Sequence, residues 1–514
     1  MIEANDGEHR GERGMVVAGQ PLAVNAGLDM LAQGGTAADA AIAAAAVLCV
    51  VDPRSTGMGG DLFAQYWPFG GEPIYLDAAG PAPQALTVDA LREAGHDTMP
   101  TEGPWTVTVP GAVAGWSALM DRFGKLGLDV ALAPAVRHAH AGFLIERFVA
   151  DEWLTAVSKL ERMGGSYFLP NGSAPSEGDT FAVPGLGKAL SDVAEGGSAA
   201  FYSGRYADAI VRAVQAAGGP LAASDLAGWS GPQWGTPISA PYGGVELFEL
   251  PPPGQGIVAL EALGIYARVR TPGADAEHAA IEAMKIAFAD AGAHVTDPAF
   301  EDVPVEMLLD PVYLSRRAKE INPEHAAEAQ PGLSSDTVYL CVIDADGAGC
   351  SFIQSLYEGF GSGIVVDGIA LQNRGAGFIL DDEHPNRPAP GKRPYHTIIP
   401  AMIGDEGGFR GCLGVVGGFM QPQAQMQTIR NVVDEGLDPQ SAVAAPRWRV
   451  MEDRKVSFEP TFDRKVVDAL AAKGHEVGEL GRFEAGGARM IWRNENGTLS
   501  GGTDPRKDGR VGSL

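Results

Sequence analysis

Residues 36–48 read T-A-A-D-A-A-I-A-A-A-A-V-L. This is a helix-forming stretch with almost no polar face. A helix that is apolar all round has no side to offer to water, so it is expected to be buried between other layers. The apolar run 40–51 is too short and too Ala-rich to span a membrane, so the enclosing material must be protein. A chain of 514 residues, 45% of them hydrophobic, can supply it. Length alone suggests about three domains, although large α/β proteins often break that rule.

The surroundings of this helix read as mixed α/β. Residues 15–19 (M-V-V-A-G) have the character of a short strand, and a first Ala-rich helix over 21–33 ends at Gly34-Gly35. After the buried helix come a turn, D-P-R-S-T-G-M-G-G-D, and a strand, L-F-A-Q-Y-W. Helical spacing marks 116–123, 130–141, 186–195 and 206–217, and 276–293 reads as the strongest amphipathic helix. From 327 the sequence A-E-A-Q-P-G-L-S-S-D is small, polar and turn-prone, and reads as a loop or linker. Strands are expected again at 363–366, 369–371, 398–403 and 412–416, and helices at 421–435 and 464–473.

The formal net charge is -27, with 65 acidic against 38 basic residues. Such a chain repels phosphate backbones, which argues against a nucleic-acid partner. Cys49, Cys341, Cys350 and Cys412 form no C-x-x-C pair and no local Cys/His cluster, so reduced thiols are expected rather than a disulfide scaffold or a zinc site. The polar, acidic N-terminus does not read as a signal peptide. The expectation is a cytoplasmic protein with no membrane contact, no metal and no cofactor.

Directly after the linker lies a hairpin signal. Residues 337–343 are apolar and β-branched, Asp344-Ala345-Asp346-Gly347 is a turn, and 350–356 is a second strand. A loop of about three residues sets Asp344 opposite Ala348 and makes paired numbers sum to about 692. Thr337 then faces Ser355, with Cβ atoms about 4.5–5.5 Å apart. Two hydroxyls meeting at the open end of a hairpin are also what ordinary cross-strand Thr–Ser packing would produce.

The segment S-D-T-V-Y-L-C-V-I-D-A-D-G, followed by S-F-I-Q-S, resembles the nucleophile region of the gamma-glutamyltransferase (gamma-glutamyltranspeptidase) family. The blocks L-A-Q-G-G-T-A-A-D-A-A-I-A, V-D-P-R-S-T-G-M-G-G-D, V-P-G-A-V-A-G-W, P-P-P-G-Q-G, L-Q-N-R-G, G-K-R-P-Y-H-T-I-I-P and G-V-V-G-G are similar to family blocks in the same order, over nearly the whole chain. The resemblance implies an α/β fold, the four-layer αββα sandwich of N-terminal-nucleophile hydrolases. It would be built from a large subunit, 1–336, and a small one, 337–514, which together make one structural domain.

It also implies a mechanism. A Thr hydroxyl is a weak nucleophile that needs a base. Cleavage between Asp336 and Thr337 would give Thr337 an α-amine, whose ordinary pKa is about 7.7–8.0. Thr337 would attack a small-molecule amide, Ser355 would orient its hydroxyl, and the N–H groups of Gly417 and Gly418 would hold the oxyanion. The mature subunits would stay associated, and a dimer of such heterodimers is left open.

Departures fall in the donor pocket. Family residues that hold the gamma-glutamyl α-carboxylate and α-amine correspond to Ala79, Tyr357, Arg374, Gly377, His396 and Thr397 here. The N-R-G-x-G-F and K-R-P-Y-H-T patterns resemble the branch with class IV cephalosporin acylases and oxamate amidohydrolase. Tyr357, Asn373, Arg374, His396 and Thr397 are the positions expected to face substrate. Arg374 would pair either with a substrate carboxylate or with a structural acid such as Asp381. The short 377–392 segment implies an open site. The competing readings are a gamma-glutamyltransferase or glutathione hydrolase with a divergent pocket, and a non-catalytic binding relative.

Overall fold

The computed structural model describes residues 9–329 and 336–514; most of the 327–336 linker lies outside the described residues. Two seven-stranded sheets form the centre. One runs, in spatial order, through His9–Gly11, Leu499–Thr503, Gly487–Arg493, Gly408–Val416, Ala401–Asp405, Val245–Glu249 and Ile238–Tyr242. The other runs through Arg510–Ser513, Met15–Ala18, Asp336–Ile343, Gly349–Tyr357, Asp61–Trp67, Ile74–Ala78 and Gln233–Gly235. Phe63, Tyr339, Cys341, Ile353, Met402, Cys412 and Ile491 fill the space between them. A second core, around the Pro21–Ala32, Ala37–Val51, Ala112–Phe123 and Leu128–Ala141 helices, covers the outer face of the second sheet. A third, around Gly256–Val269, Ala274–His294 and Met420–Val433, covers the first. The architecture is the expected four-layer αββα sandwich, and both halves of the chain contribute to both sheets.

The Ala-rich helix runs over Ala37–Val51 and all of its residues are buried. Small side chains let other helices and the sheet approach it closely from several sides. Its one acid, Asp39, completes a capping box with Thr36 and also accepts the Lys125 and Leu126 N–H groups, so no buried charge is left unmet.

The hairpin register follows the sequence expectation. Val338 pairs with Gln354 and Ile343 with Gly349, and the Asp344 N–H donates to the Ala348 carbonyl at 3.0 Å. A bulge between Asp336 and Val338 breaks the ladder at Thr337 itself.

Three readings change. The 276–293 helix spans Ala274–His294, but it is not amphipathic: His278, Glu282, Lys285 and Asp290 are buried along with its alanines and find partners inside the fold. The 398–403 strand starts at Ala401, because Ile399 spends its N–H and C=O on Gln421 and Gln425 side chains instead of a ladder. The Ile238–Tyr242/Val245–Glu249 hairpin and the Gly256–Val269 helix were not anticipated. All four cysteines are buried and free, as expected, and no helix among the described residues is long and apolar enough to cross a membrane.

Close packing around the Ala-rich helix has a measurable consequence. Ala44→Leu adds a branched side chain where exposure is 0%. It should lower unfolding free energy by about 1–3 kcal/mol in denaturant titration, whereas the same change at exposed Ala94 should have little effect.

Candidate active site

Thr337 stands at the head of the central hairpin, 5% exposed, with its Oγ1 3.3 Å from Ser355 Oγ. Ser355 Oγ also accepts the Tyr357 N–H at 2.8 Å, which fixes the rotamer that faces Thr337. The hairpin register, the bulge and this backbone contact together bring the two hydroxyls to one point. The Asp336 backbone lies in the same strand.

Gly417 and Gly418 end the Gly408–Val416 strand with φ of 119° and 58°, values that favour glycine over any side-chain-bearing residue. They lead into the Met420–Val433 helix, whose positive N-terminal end adds to the pull on an anion at this turn. Gln255 holds the turn in place: its Nε2 donates to the Gly418 carbonyl at 2.9 Å and to the Thr397 carbonyl at 2.7 Å. Gln255 was not singled out from the sequence, although it lies in the P-P-P-G-Q-G block.

Beside Ser355 lies a buried electrostatic frame. Arg374 is 0% exposed and makes a two-pronged contact with Asp61, Nε to Oδ2 at 2.7 Å and Nη2 to Oδ1 at 3.1 Å. Its Nη1 donates to Thr397 Oγ1 at 3.1 Å, and its guanidinium lies 4.4 Å from the centre of the Tyr357 ring. The structural acid for Arg374 is therefore Asp61 and not Asp381. His396 joins the same carboxylate, Nε2 to Asp61 Oδ2 at 2.9 Å, and its Nδ1 lies 2.7 Å from the Pro394 carbonyl. Burial acts to raise the Asp61 pKa, but Arg374 and His396 outweigh it and hold the carboxyl below its ordinary range. Asn373 is likewise enclosed, accepting the Glu358 N–H and donating to the Thr101 carbonyl.

Of the five residues expected to face substrate, only Tyr357 lines the cavity that Phe419, after the glycine turn, also borders; Asn373, Arg374, His396 and Thr397 are buried behind it. Asp61 escaped sequence reading because its partner is 313 positions away. Tyr357 holds φ at +79°, an uncommon value for a bulky residue that aims its ring between Arg374 and the cavity.

That cavity has a volume of about 510 Å³. Phe288, Tyr357, Phe378, Ile379, Tyr395 and Phe419 contribute large apolar side chains to its wall, and Glu452 and Asp453, both exposed, also line it. The 377–392 segment contributes a wall, closed by the Asn386 side chain donating to the Gly377 carbonyl and by the Ile379 N–H donating to the Asn386 carbonyl. A larger cavity, about 920 Å³, lies around Arg430 and Glu277. The smaller one is bordered by Tyr357, two residues beyond Ser355, and by Phe419, directly after the glycine turn, so it is the substrate candidate.

A separate group, His278, Glu282 and His475, has ligand-type atoms within 4.8 Å of one another. Lys285 Nζ, 2.9 Å from Glu282 Oε1, already supplies the positive charge there.

Residues 23–514 match the family described as Gamma-glutamyltranspeptidase. The chain belongs to the gamma-glutamyltranspeptidase family. Within it, this gamma-glutamyltranspeptidase relative is 37% identical to the glutathione hydrolase-like YwrD proenzyme of Bacillus subtilis, over 97% of this chain and 98% of that one. It is 36% identical to the oxamate amidohydrolase proenzyme of Klebsiella pneumoniae, over 96% and 97% of the two. The crystal structure of cephalosporin acylase from Bacillus halodurans superposes with a TM-score of 0.95 at 42% identity, covering 100% of this chain and 98% of that chain. The family is one of hydrolases and acylases, and the N-terminal-nucleophile fold is shared throughout the chain.

The Asp61 frame yields a stability prediction. Asp61→Asn leaves the Arg374 guanidinium buried without its counter-charge and should cost about 3–5 kcal/mol in chemical denaturation. Removing both charges, in Asp61→Leu with Arg374→Met, should recover much of that loss.

Proposed function

We propose that this chain is a precursor that cuts itself between Asp336 and Thr337, and then cleaves a small amide through an acyl-Thr337 intermediate. The observation that carries this reading is the 3.3 Å approach of Thr337 Oγ1 to Ser355 Oγ at the head of the hairpin. In the mature protein the Thr337 α-amine takes the proton of its own hydroxyl. Ser355 orients that hydroxyl, with its lone pair engaged by the Tyr357 N–H. The Gly417 and Gly418 amides face the oxyanion that develops on the substrate carbonyl. Water then releases the acid, or a second amine takes the acyl group.

For the acyl group, we infer a preference away from gamma-glutamyl. Ala79 is a buried methyl, Gly377 has no side chain, and Arg374 has its charge met by Asp61. The apolar side chains in the wall of the 510 Å³ cavity suit an acyl chain without an α-ammonium, such as a glutaryl or oxalyl group. One observation favours a second reading, a gamma-glutamyl hydrolase with a divergent pocket: Glu452 and Asp453, which also line the cavity, would meet an α-ammonium.

Purified wild type should run as two bands on a denaturing gel, and Thr337→Ala as one. A single wild-type band without activity on any amide sinks the proposal. In kcat/KM, a glutaryl anilide should exceed the matching gamma-glutamyl anilide by about tenfold, or about 1.4 kcal/mol. The reverse order supports the second reading, and Glu452→Gln should then erase it.

A further inference from the structure

Self-cleavage poses a problem that amide hydrolysis does not. In the intact chain the nitrogen of Thr337 is part of a peptide bond and cannot accept a proton. The first attack therefore needs a base other than the one the mature enzyme would use.

Against Thr337, and sharing no lining residue with the substrate candidate cavity, lies a small polar chamber of about 20 Å³. That is room for one water, provided polar groups surround it. Thr337 lines it together with Asp52, Ser55, Glu152, Lys507 and Asp508. Asp52 is the C-cap of the Ala-rich helix, so it stands at that helix's negative end. It is surrounded by protein yet keeps some reachable surface, as a carboxylate on a water-sized cavity does.

The other two acids are committed. Glu152 Oε1 lies 2.9 Å from Lys507 Nζ and 3.6 Å from Arg54 Nη1. Asp508 Oδ2 accepts the Phe148 and Val149 N–H groups at 3.1 and 3.3 Å and Gln20 Nε2 at 3.4 Å. Asp52 has the Ser55 side chain. The charged and titratable groups that face it are Glu152 and Arg54, Lys507 and Asp508 near the C-terminus, Arg489 from the Gly487–Arg493 strand, and Cys49 one turn back on its own helix.

We propose that Asp52 is the proton acceptor for self-cleavage of the precursor, taking the Thr337 hydroxyl proton through one water in this chamber. The inference rests on the self-cleavage reading above. Thr337 Oγ bonds to the Asp336 carbonyl carbon as its proton passes through the water to Asp52. The Asp336–Thr337 C–N bond then breaks, and Asp52 returns the proton to the departing nitrogen, which becomes the α-amine. A second water hydrolyses the Asp336–Thr337 ester, leaving an Asp336 carboxylate and a free Thr337 hydroxyl. Burial, with Glu152 adding to it, pushes the Asp52 carboxyl up to about 7. A base of that strength is well matched to work near neutral pH. Because the active form is the carboxylate, cleavage should be slow below that value and level off above it.

The test follows full-length precursor, made by cell-free translation, on denaturing gels between pH 5.5 and 8.5. The wild-type rate should rise about tenfold per pH unit below about 7 and then flatten. Asp52→Asn should be about 100-fold slower at pH 7.5 and should lose that pH step. Asp52→Glu should restore part of the rate. A wild-type rate independent of pH overturns the inference without any variant. So does Asp52→Asn with the wild-type profile, or one that is slow but keeps the step, since a purely structural role gives that result. A wild type that stays intact at every pH, like Thr337→Ala, overturns the self-cleavage reading itself and this inference with it.

Discussion

The carboxylate of Asp344 accepts backbone N–H groups from two distant parts of the chain. Oδ1 takes those of Asp346 and Ala348, closing the hairpin turn, and Oδ2 takes that of Ala37, the first residue of the Ala-rich helix. Burial still holds its pKa above the ordinary carboxylate range, so these bonds offset the cost of enclosing the charge only in part. The contact fixes two things at once. It sets the pairing in which numbers sum to 692, and so brings Thr337 to Ser355. It also seats the buried helix against the strands that carry them. A slip of one residue would turn Thr337 to the other face of the sheet.

From that anchor the site builds outward in two directions. Toward the substrate cavity, Asp61 gathers Arg374 and His396, Arg374 supports the Tyr357 ring, and Gln255 ties the Gly418 turn to Thr397. Most polar groups here are spent on one another, which leaves aromatic side chains to line the adjoining cavity. Toward the C-terminus, the Ala-rich helix ends at Asp52, beside the second chamber. The same helix thus begins at the hairpin turn and ends near the hairpin's open end.

Ala79 and Gly377 bring no charge to this region, and the Asp61 carboxylate meets the charge of Arg374. Thr337, Ser355 and the glycine turn are held by backbone register and positive φ, not by these side chains.

Local information was enough for several features. The fully apolar helix had to be enclosed, the D-A-D-G turn set the hairpin register, and the ordered motif blocks identified the family and its four-layer fold. These depend on neighbours in sequence, where periodicity and turn chemistry act. What only the tertiary structure decided depends on partners far apart in the chain. Asp61 and Arg374 are 313 positions apart, and neither periodicity nor propensity links them. The Ala274–His294 helix has the spacing of an amphipathic helix, whereas the fold buries His278, Glu282, Lys285 and Asp290 and supplies each with a partner. The chamber that joins Thr337 to Asp52 exists only because seven separate segments close around it. Sequence can point to a candidate residue such as Thr337, but the desolvated surroundings that set the charge and reach of its neighbours arise only when distant segments pack together.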